Sequence, residues 1–469
     1  MGQFFNSGEI KSRPGVYNRY TNRGNGRTAG ALVGVVGVPF KTSWGPLGKV
    51  TVHENADSVK EMYGKGGTTD VVDAIFQGGA SKVYCVRLGS TESGTAASLT
   101  LANDSAADAV KITALYPGTR DIKVAVRVKV EDAKKEIVVY EGTSKLEAFE
   151  FAVCDDEINA LVEAVAKSNY IKAEAVASAE DKTVSIVTAT SLTGGVDPTI
   201  TNEDYSAAFM LLEAYKFNVL ALDTVTAAVQ ELAKQWLNRV FAEGKLVQTV
   251  LGSSYETDFE SLIANAKSCN DNKVIYTGIY WGDTNGNVID GYYAAGVIAG
   301  IVASTPANKS VVHSAIPGAT TIVPYSNTQY TQAVESGLLL ASYSPNDSVW
   351  IDSGVNTLNV LGDEQDEGWK KIRRTTTRFE LITRIDETTA PLVGKVNCDA
   401  DGISMFIQYA QGVIKDMIAE NKLASGSSIY SDPNKASEGD SAWYVIEVDD
   451  IDSLEKAYLH YRFRFSPNV

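Results

Sequence analysis

The chain is 469 residues long, more than one hydrophobic core can hold, so about three or four domains are expected. Its 44% hydrophobic and 21% charged residues describe an ordinary soluble globular protein, and a net charge of −16 argues against nucleic acid as the main partner, because phosphate binding needs a basic face. Cys85, Cys154, Cys269 and Cys398 lie far apart with no CxxC pair, which reads as reduced thiols of a cytoplasmic product.

Residues 1–28 are a polar, Gly-rich arm without the basic start and apolar run of a signal peptide. Gly2 is in place for myristoylation, but Asn6 stands where Ser or Thr is wanted. The arm holds one short extended run, Gly15-Val16-Tyr17-Asn18-Arg19-Tyr20. Residues 29–92 read as an α/β start: a small, aliphatic strand at 29–38, a helix capped by Asn55, a second helix at 70–77 ended by Gly78-Gly79, and a strand at 82–88. From residue 93 to 196 the pattern is mostly β, and 122–130 alternates cleanly. Residues 197–355 alternate helix and strand, which predicts a parallel or mixed sheet covered by helices, closed by a strand at 348–353. The apolar stretch 292–303 is too short to span a bilayer and reads as a buried helix.

Residues 356–456 carry two helices. The first, over 369–389, has Asp363, Glu364, Asp366 and Glu367 running into Lys370, Lys371, Arg373, Arg374 and Arg378, either a solvated helix suited to its dipole or a charged docking face. The second, over 403–423, puts Ile403, Phe406, Ile407, Ala410, Ile414, Met417 and Ile418 on one stripe, read as core packing. Residues 424–441 read as a polar loop. In the last segment, 457–469, Ala457, Leu459, Tyr461, Phe463 and Phe465 point one way, and Tyr458, His460, Arg462 and Arg464 the other, the period of a half-buried strand. That strand either zips into its own domain beside 443–448 or completes a neighbour's sheet.

Catalytic constellations fail on inspection. The three histidines, His53, His313 and His460, are accompanied by no GxSxG elbow and no HExxH helix. Tyr63-Gly64-Lys65-Gly66-Gly67-Thr68 lacks the Ser or Thr that follows the Lys of a phosphate loop, and reads as a helix end and the next cap. The glycines between 30 and 37 miss the dinucleotide spacing, and Asp283-Thr284-Asn285-Gly286-Asn287 has Val288 where a calcium loop requires Gly. No cofactor or metal is expected.

Several local patterns, in order, carry a family resemblance. They are Arg13-Pro14-Gly15-Val16-Tyr17, residues 31–37 with Gly45-Pro46, Tyr116-Pro117-Gly118-Thr119, Leu192-Thr193-Gly194-Gly195, and residues 292–300. Then follow Gly354-Val355-Asn356-Thr357-Leu358, Gly394-Lys395-Val396 with Asp401-Gly402, and Asp452-Ser453-Leu454-Glu455-Lys456-Ala457-Tyr458. The ordered set resembles the sheath proteins of contractile phage tails, as found in Gram-positive phages, defective prophages and phage-tail-like bacteriocins. The chain departs from them after Pro117-Gly118, where the usual Gly-Asn is missing.

The resemblance implies a multidomain α/β and β fold: an inner α+β domain built from both chain ends, a β-sandwich-like insertion, and a subtilisin-like middle domain without a catalytic triad. It implies a homo-oligomer of hexameric rings in a helical array around a tail tube, with baseplate and tail terminator proteins as further partners and no direct membrane insertion. The particle is a virion or a phage-tail-like assembly built in the bacterial cytoplasm. Val16, Tyr17 and Tyr20 with Leu459, Tyr461, Phe463 and Phe465 are the expected strand-exchange residues. The tube-contact candidates are Lys415 and Lys422 on the long helix, then Lys370, Lys371, Arg373, Arg374 and Arg378. An α/β hydrolase-like enzyme and a static, non-contractile coat or tube protein are the alternatives.

Overall fold

The computed structural model describes residues 3–4, 17–18, 32–129, 134–177 and 179–464. They fall into two compact units, Leu32–Phe379 with Asp450–Val469, and Glu380–Asp449 with Met1–Ala31.

The first unit is organised by a seven-stranded sheet. Its spatial order is Leu338–Leu339, Val274–Thr277, Gln248–Leu251, Val219–Leu220, Val35–Phe40, Lys82–Arg87 and Val50–His53. All pairs are parallel except the last, where Val50–His53 runs against Lys82–Arg87. Segments 29–92 and 197–355 therefore build one sheet, joined where Val36 and Gly37 pair with Val219 and Leu220. Strand alternation sorts side chains to two cores: Val36, Val38, Phe40, Val83 and Cys85 join one, and Val35, Val86 and Leu88 the other. The strand expected at 348–353 does not close this sheet. Val349–Ile351 instead pairs antiparallel with Ala341–Tyr343, because Ser344–Ser348 turns the chain straight back.

The apolar stretch near 292–303 is indeed a buried helix, Gly291–Ser304, lying on the Asp70–Gln77 helix. Their contact is glycine on glycine: a Cβ on Gly300 would sit 2.2 Å from the Ile75 carbonyl oxygen, and one on Gly78 2.1 Å from that of Val297. Only hydrogen at both positions permits this approach. Among the described residues no helix is long and apolar enough to cross a membrane.

The β block makes two antiparallel sheets. One orders Ser144–Ala152, Lys134–Glu141, Ile122–Lys129 and Val187–Ser191; the other orders Ile171–Ala175, Asp108–Ala114 and Ser98–Ala102. Ile122, Val124, Val126, Ile137 and Val139 enclose a third core with Ile158 and Leu161 of the Glu157–Val165 helix.

In the second unit, the Ala400–Ala419 helix buries Ala410, Val413, Ile414 and Met417 against Leu381, Ile385, Leu423 and Ile429. Its start is capped by Asp399, whose Oδ1 accepts from Gly402 N at 2.9 Å. The polar loop expected over 424–441 contains a strand, Ser428–Ser431, paired antiparallel with Tyr444–Glu447. In the N-terminal arm Gln3–Phe4 pairs parallel with Tyr17–Asn18.

Candidate functional site

In a parallel α/β sheet the usual ligand crevice lies at the strand carboxyl ends, where neighbouring strands leave in opposite directions. Here that point is between Val35–Phe40, followed by Lys82–Arg87 on one side, and Val219–Leu220, followed by Gln248–Leu251 on the other. It is filled. Thr68 N donates to the Lys41 carbonyl at 2.9 Å, and Lys41 N donates to Thr68 Oγ1 at 2.9 Å. Thr68 Oγ1 and Tyr205 OH then donate to the two oxygens of Asp223, at 2.5 and 2.7 Å. Asp223 is 1% exposed, and burial raises its carboxyl above the usual range. The glycine run that mimics a phosphate loop serves this closure, since a Cβ on Gly67 would lie 2.1 Å from the Lys41 carbonyl oxygen.

The histidines are dispersed. His53 is buried, with Nδ1 2.8 Å from Ser58 Oγ and Nε2 3.0 Å from Thr51 Oγ1; burial lowers its pKa. His313 stacks on Trp350, and His460 is solvent-exposed in the C-terminal segment. No three His, Cys, Asp or Glu side chains among the described residues cluster so as to hold a metal.

The chemistry concentrates instead where the C-terminal segment leaves the body. Arg374 Nε and Nη2 donate to Asp450 Oδ2 and Oδ1 at 2.8 and 2.5 Å. Arg378 Nε reaches the same Oδ2 at 3.3 Å, while its guanidinium lies 4.2 Å from the Trp369 ring centre. Arg373 donates from Nη1 to Ser453 Oγ at 2.8 Å and from Nε to the Ala307 carbonyl at 3.2 Å. Lys371 pairs with Glu455, which also accepts from Ser310 Oγ at 3.0 Å. Burial alone would raise the Asp450 carboxyl, but the Arg374 bonds and the Arg378 charge outweigh it and hold it below the ordinary aspartate value. Lys370 completes the run, paired with Glu367 at 3.0 Å.

The basic run at 370–378 is therefore engaged within its own subunit, largely in clamping residues 450–455. The clamped partners, Asp450, Ser453 and Glu455, lie 72 to 84 residues further along the chain. The usable signal in the sequence was the acidic cluster Asp449, Asp450, Asp452 and Glu455, placed directly ahead of the alternating segment and opposite in charge to the helix.

Beyond the clamp, residues 456–464 pair with no strand among the described residues. Tyr458 is 90% exposed, Leu459 72%, Tyr461 70% and Phe463 92%. The period-two pattern persists in the side chains, as Tyr461 and Phe463 stack 6.3 Å apart. Tyr444–Glu447 pairs with Ser428–Ser431. Tyr17 lies in the short N-terminal pair, whereas Val16, Tyr20 and Phe465 fall outside the described residues.

The two lysines expected to face outward from the long helix differ. Lys415 is exposed. Lys422 is 4% exposed and turned inward, with Nζ 2.6 Å from both Glu380 and Glu420, because it follows the left-handed turn at Asn421 (φ 58°) that ends the helix. Arg384 closes the cluster, donating to Glu420 at 2.9 and 3.0 Å and pairing with Glu380 at 2.6 Å.

Comparison with known proteins gives these features a context. A family model described as the phage tail sheath protein central domain matches residues 199–357, and one described as the phage tail sheath protein β-sandwich domain matches residues 90–197. The uncharacterized protein YqbK of Bacillus subtilis (strain 168) is 25% identical over 387 residues, covering 79% of this chain and 78% of its own. The phage-like element PBSX protein XkdK of the same strain is 22% identical with the same coverage. Among solved structures, the sheath tail protein of Desulfitobacterium hafniense shares the fold at a TM-score of 0.72 and 18% identity, over 93% of this chain and 100% of that one. The contracted helical sheath of the anti-feeding prophage aligns at 0.54 and 11% identity, over 97% and 99%.

Proposed function

The chain belongs to the phage tail sheath protein family, a family of structural proteins and not of enzymes, and from that premise we propose that it is the subunit of a contractile sheath. Copies stack as hexameric rings in a helical array around a tail tube, bounded by a baseplate and a tail terminator. Contraction drives the tube through a cell envelope. Heterologous contacts that do not close on themselves generate such arrays. The α/β domain, in this reading a subtilisin-like fold without its triad, acts as a rigid body; its filled crevice supports that role. The particle is a virion or phage-tail-like assembly put together in the bacterial cytoplasm.

One observation carries the proposal: a C-terminal segment with exposed Leu459, Tyr461 and Phe463 in a period-two sequence, anchored at its root and in no strand beyond it among the described residues. A row of large apolar side chains in water is unfavourable, and a strand lacking neighbours has its backbone groups to satisfy. Addition to a sheet of an adjoining copy meets both needs. Val16, Tyr17 and Tyr20 at the other end are proposed for the same exchange. Such links keep copies joined while their bodies rotate during contraction. Lys415 on the long helix is the favoured tube contact.

The test is a chain truncated after Lys456, imaged by negative-stain electron microscopy beside the intact protein, with a chain lacking residues 1–20 as companion. Both truncations are expected to give folded monomer that does not form tubes. Tubes of normal length from either would overturn strand exchange. An intact chain that forms tubes of one fixed length, unresponsive to any trigger, would favour a static coat.

A further inference from the structure

The exposed segment has a second face, and its charge is opposite to that of the chain. Residues 456–469 contain Lys456, Arg462 and Arg464 and no Asp or Glu, within a protein of net charge −16. Lys456, Arg462 and Arg464 are all exposed, and none makes an ion pair among the described residues. Of the acidic residues just ahead, Asp450 is taken by Arg374 and Arg378 and Glu455 by Lys371, while exposed Asp452 accepts from Ser453 N and pairs with none of the three. In the period-two pattern Arg462 and Arg464 alternate with Leu459, Tyr461 and Phe463, so once the segment is drawn out as a strand the cations stand on the face opposite the apolar row.

We infer that this basic face is an electrostatic docking surface for the acidic surface of a second copy of the chain. The inference rests on the strand-donation reading above and deepens it by naming what the polar side of the segment recognises. Two bodies of like negative charge repel, and a cationic strand projecting from one supplies the local attraction that brings it to the other. Opposite charges across neighbouring strands also favour one register over its slipped alternatives. Such charges act mainly on encounter and register, while the apolar face and the backbone hold the strand once placed.

The full-length chain polymerising in solution, followed by light scattering and electron microscopy across a salt series, provides the test. R462A/R464A, R462K/R464K and a chain lacking residues 457–469 are compared with the natural sequence. At low salt the double alanine variant polymerises more slowly by about tenfold, and the double lysine variant keeps pace with the natural chain. The gap closes near 1 M salt, where screening reaches about 3 Å. If the alanine variant matches the natural chain at every salt concentration while the deletion is inactive, strand donation stands and the charged docking face falls. If the deletion polymerises normally, strand donation fails, and this inference fails with it.

Discussion

Arg374 holds Asp450 in a two-pronged grip, Nε on one carboxylate oxygen at 2.8 Å and Nη2 on the other at 2.5 Å, at the point where the chain re-enters its first unit. Such a planar fork fixes direction as well as distance. The C-terminal segment therefore departs at a set angle, with Glu455 pinned five residues later by Lys371 and Ser310.

Replacing Asp450 by Asn should destabilise the monomer by about 2–3 kcal/mol in chemical denaturation, since Arg374 and Arg378 lose their counter-charge in a partly buried site. The folded Asp450 carboxyl titrates below its unfolded value. Its contribution is thus complete above the ordinary aspartate pKa and is lost as pH falls through the depressed one. Acid titration of stability should accordingly be shallower in D450N than in the natural chain over that window; identical curves would remove Asp450 from the account. Limited proteolysis between 456 and 464 should also be faster in the variant.

Gly300→Ala should cost about 1–3 kcal/mol or more, because the added methyl meets the Ile75 carbonyl at 2.2 Å and two packed helices must part. Gly412→Ala is the matched control. It lies inside the Ala400–Ala419 helix with open space around its missing side chain, and should gain about 0.4–1 kcal/mol. Thermal unfolding of both variants checks the pair.

Lys415 and Lys422 should separate cleanly. Lys422→Ala takes the ammonium away from the carboxylates of Glu380 and Glu420 and should destabilise the monomer by about 3 kcal/mol. Lys415→Glu, on an exposed position, should stay within about 0.5 kcal/mol of the natural chain. Co-sedimentation with tubes should nevertheless weaken for Lys415→Glu while empty contracted tubes still form. Unchanged extended tails would remove Lys415 from the tube face.

Asp223→Ala should lower stability by about 1–3 kcal/mol, as the half-buried Thr68 and the buried Tyr205 lose the common acceptor of their hydroxyls. Spectroscopic melting of the folded chain reads this directly.

What the sequence disclosed follows from the range of the forces involved. The capped helix after Asn55 and the buried helix near residue 292 rest on local spacing and capping, and both formed as read. The alternating run gave the strand Ile122–Lys129, but Ala125 is buried and Val128 exposed against the pattern, and Val130 lies outside the described residues. The strand Ser428–Ser431 escaped notice because serines and a turn glycine obscure its pattern; it exists by pairing with Tyr444–Glu447. Val349–Ile351 was recognisable as a strand, yet its partner was not, since periodicity carries no information about which edge is nearest. The basic run at 370–378 was visible as charge, but its engagement by Asp450, Ser453 and Glu455 needs the fold to close a loop of some eighty residues. The terminal alternation was legible because its pattern is local, and 451–464 lie in no strand among the described residues.

The bare aromatic row at 458–463 also bears on quality control. A stray copy displays that row to proteases and chaperones, whereas a copy accepted into the lattice would hide it. Incorporation would then serve as its own certificate, and surplus or damaged copies could be culled without any dedicated tag.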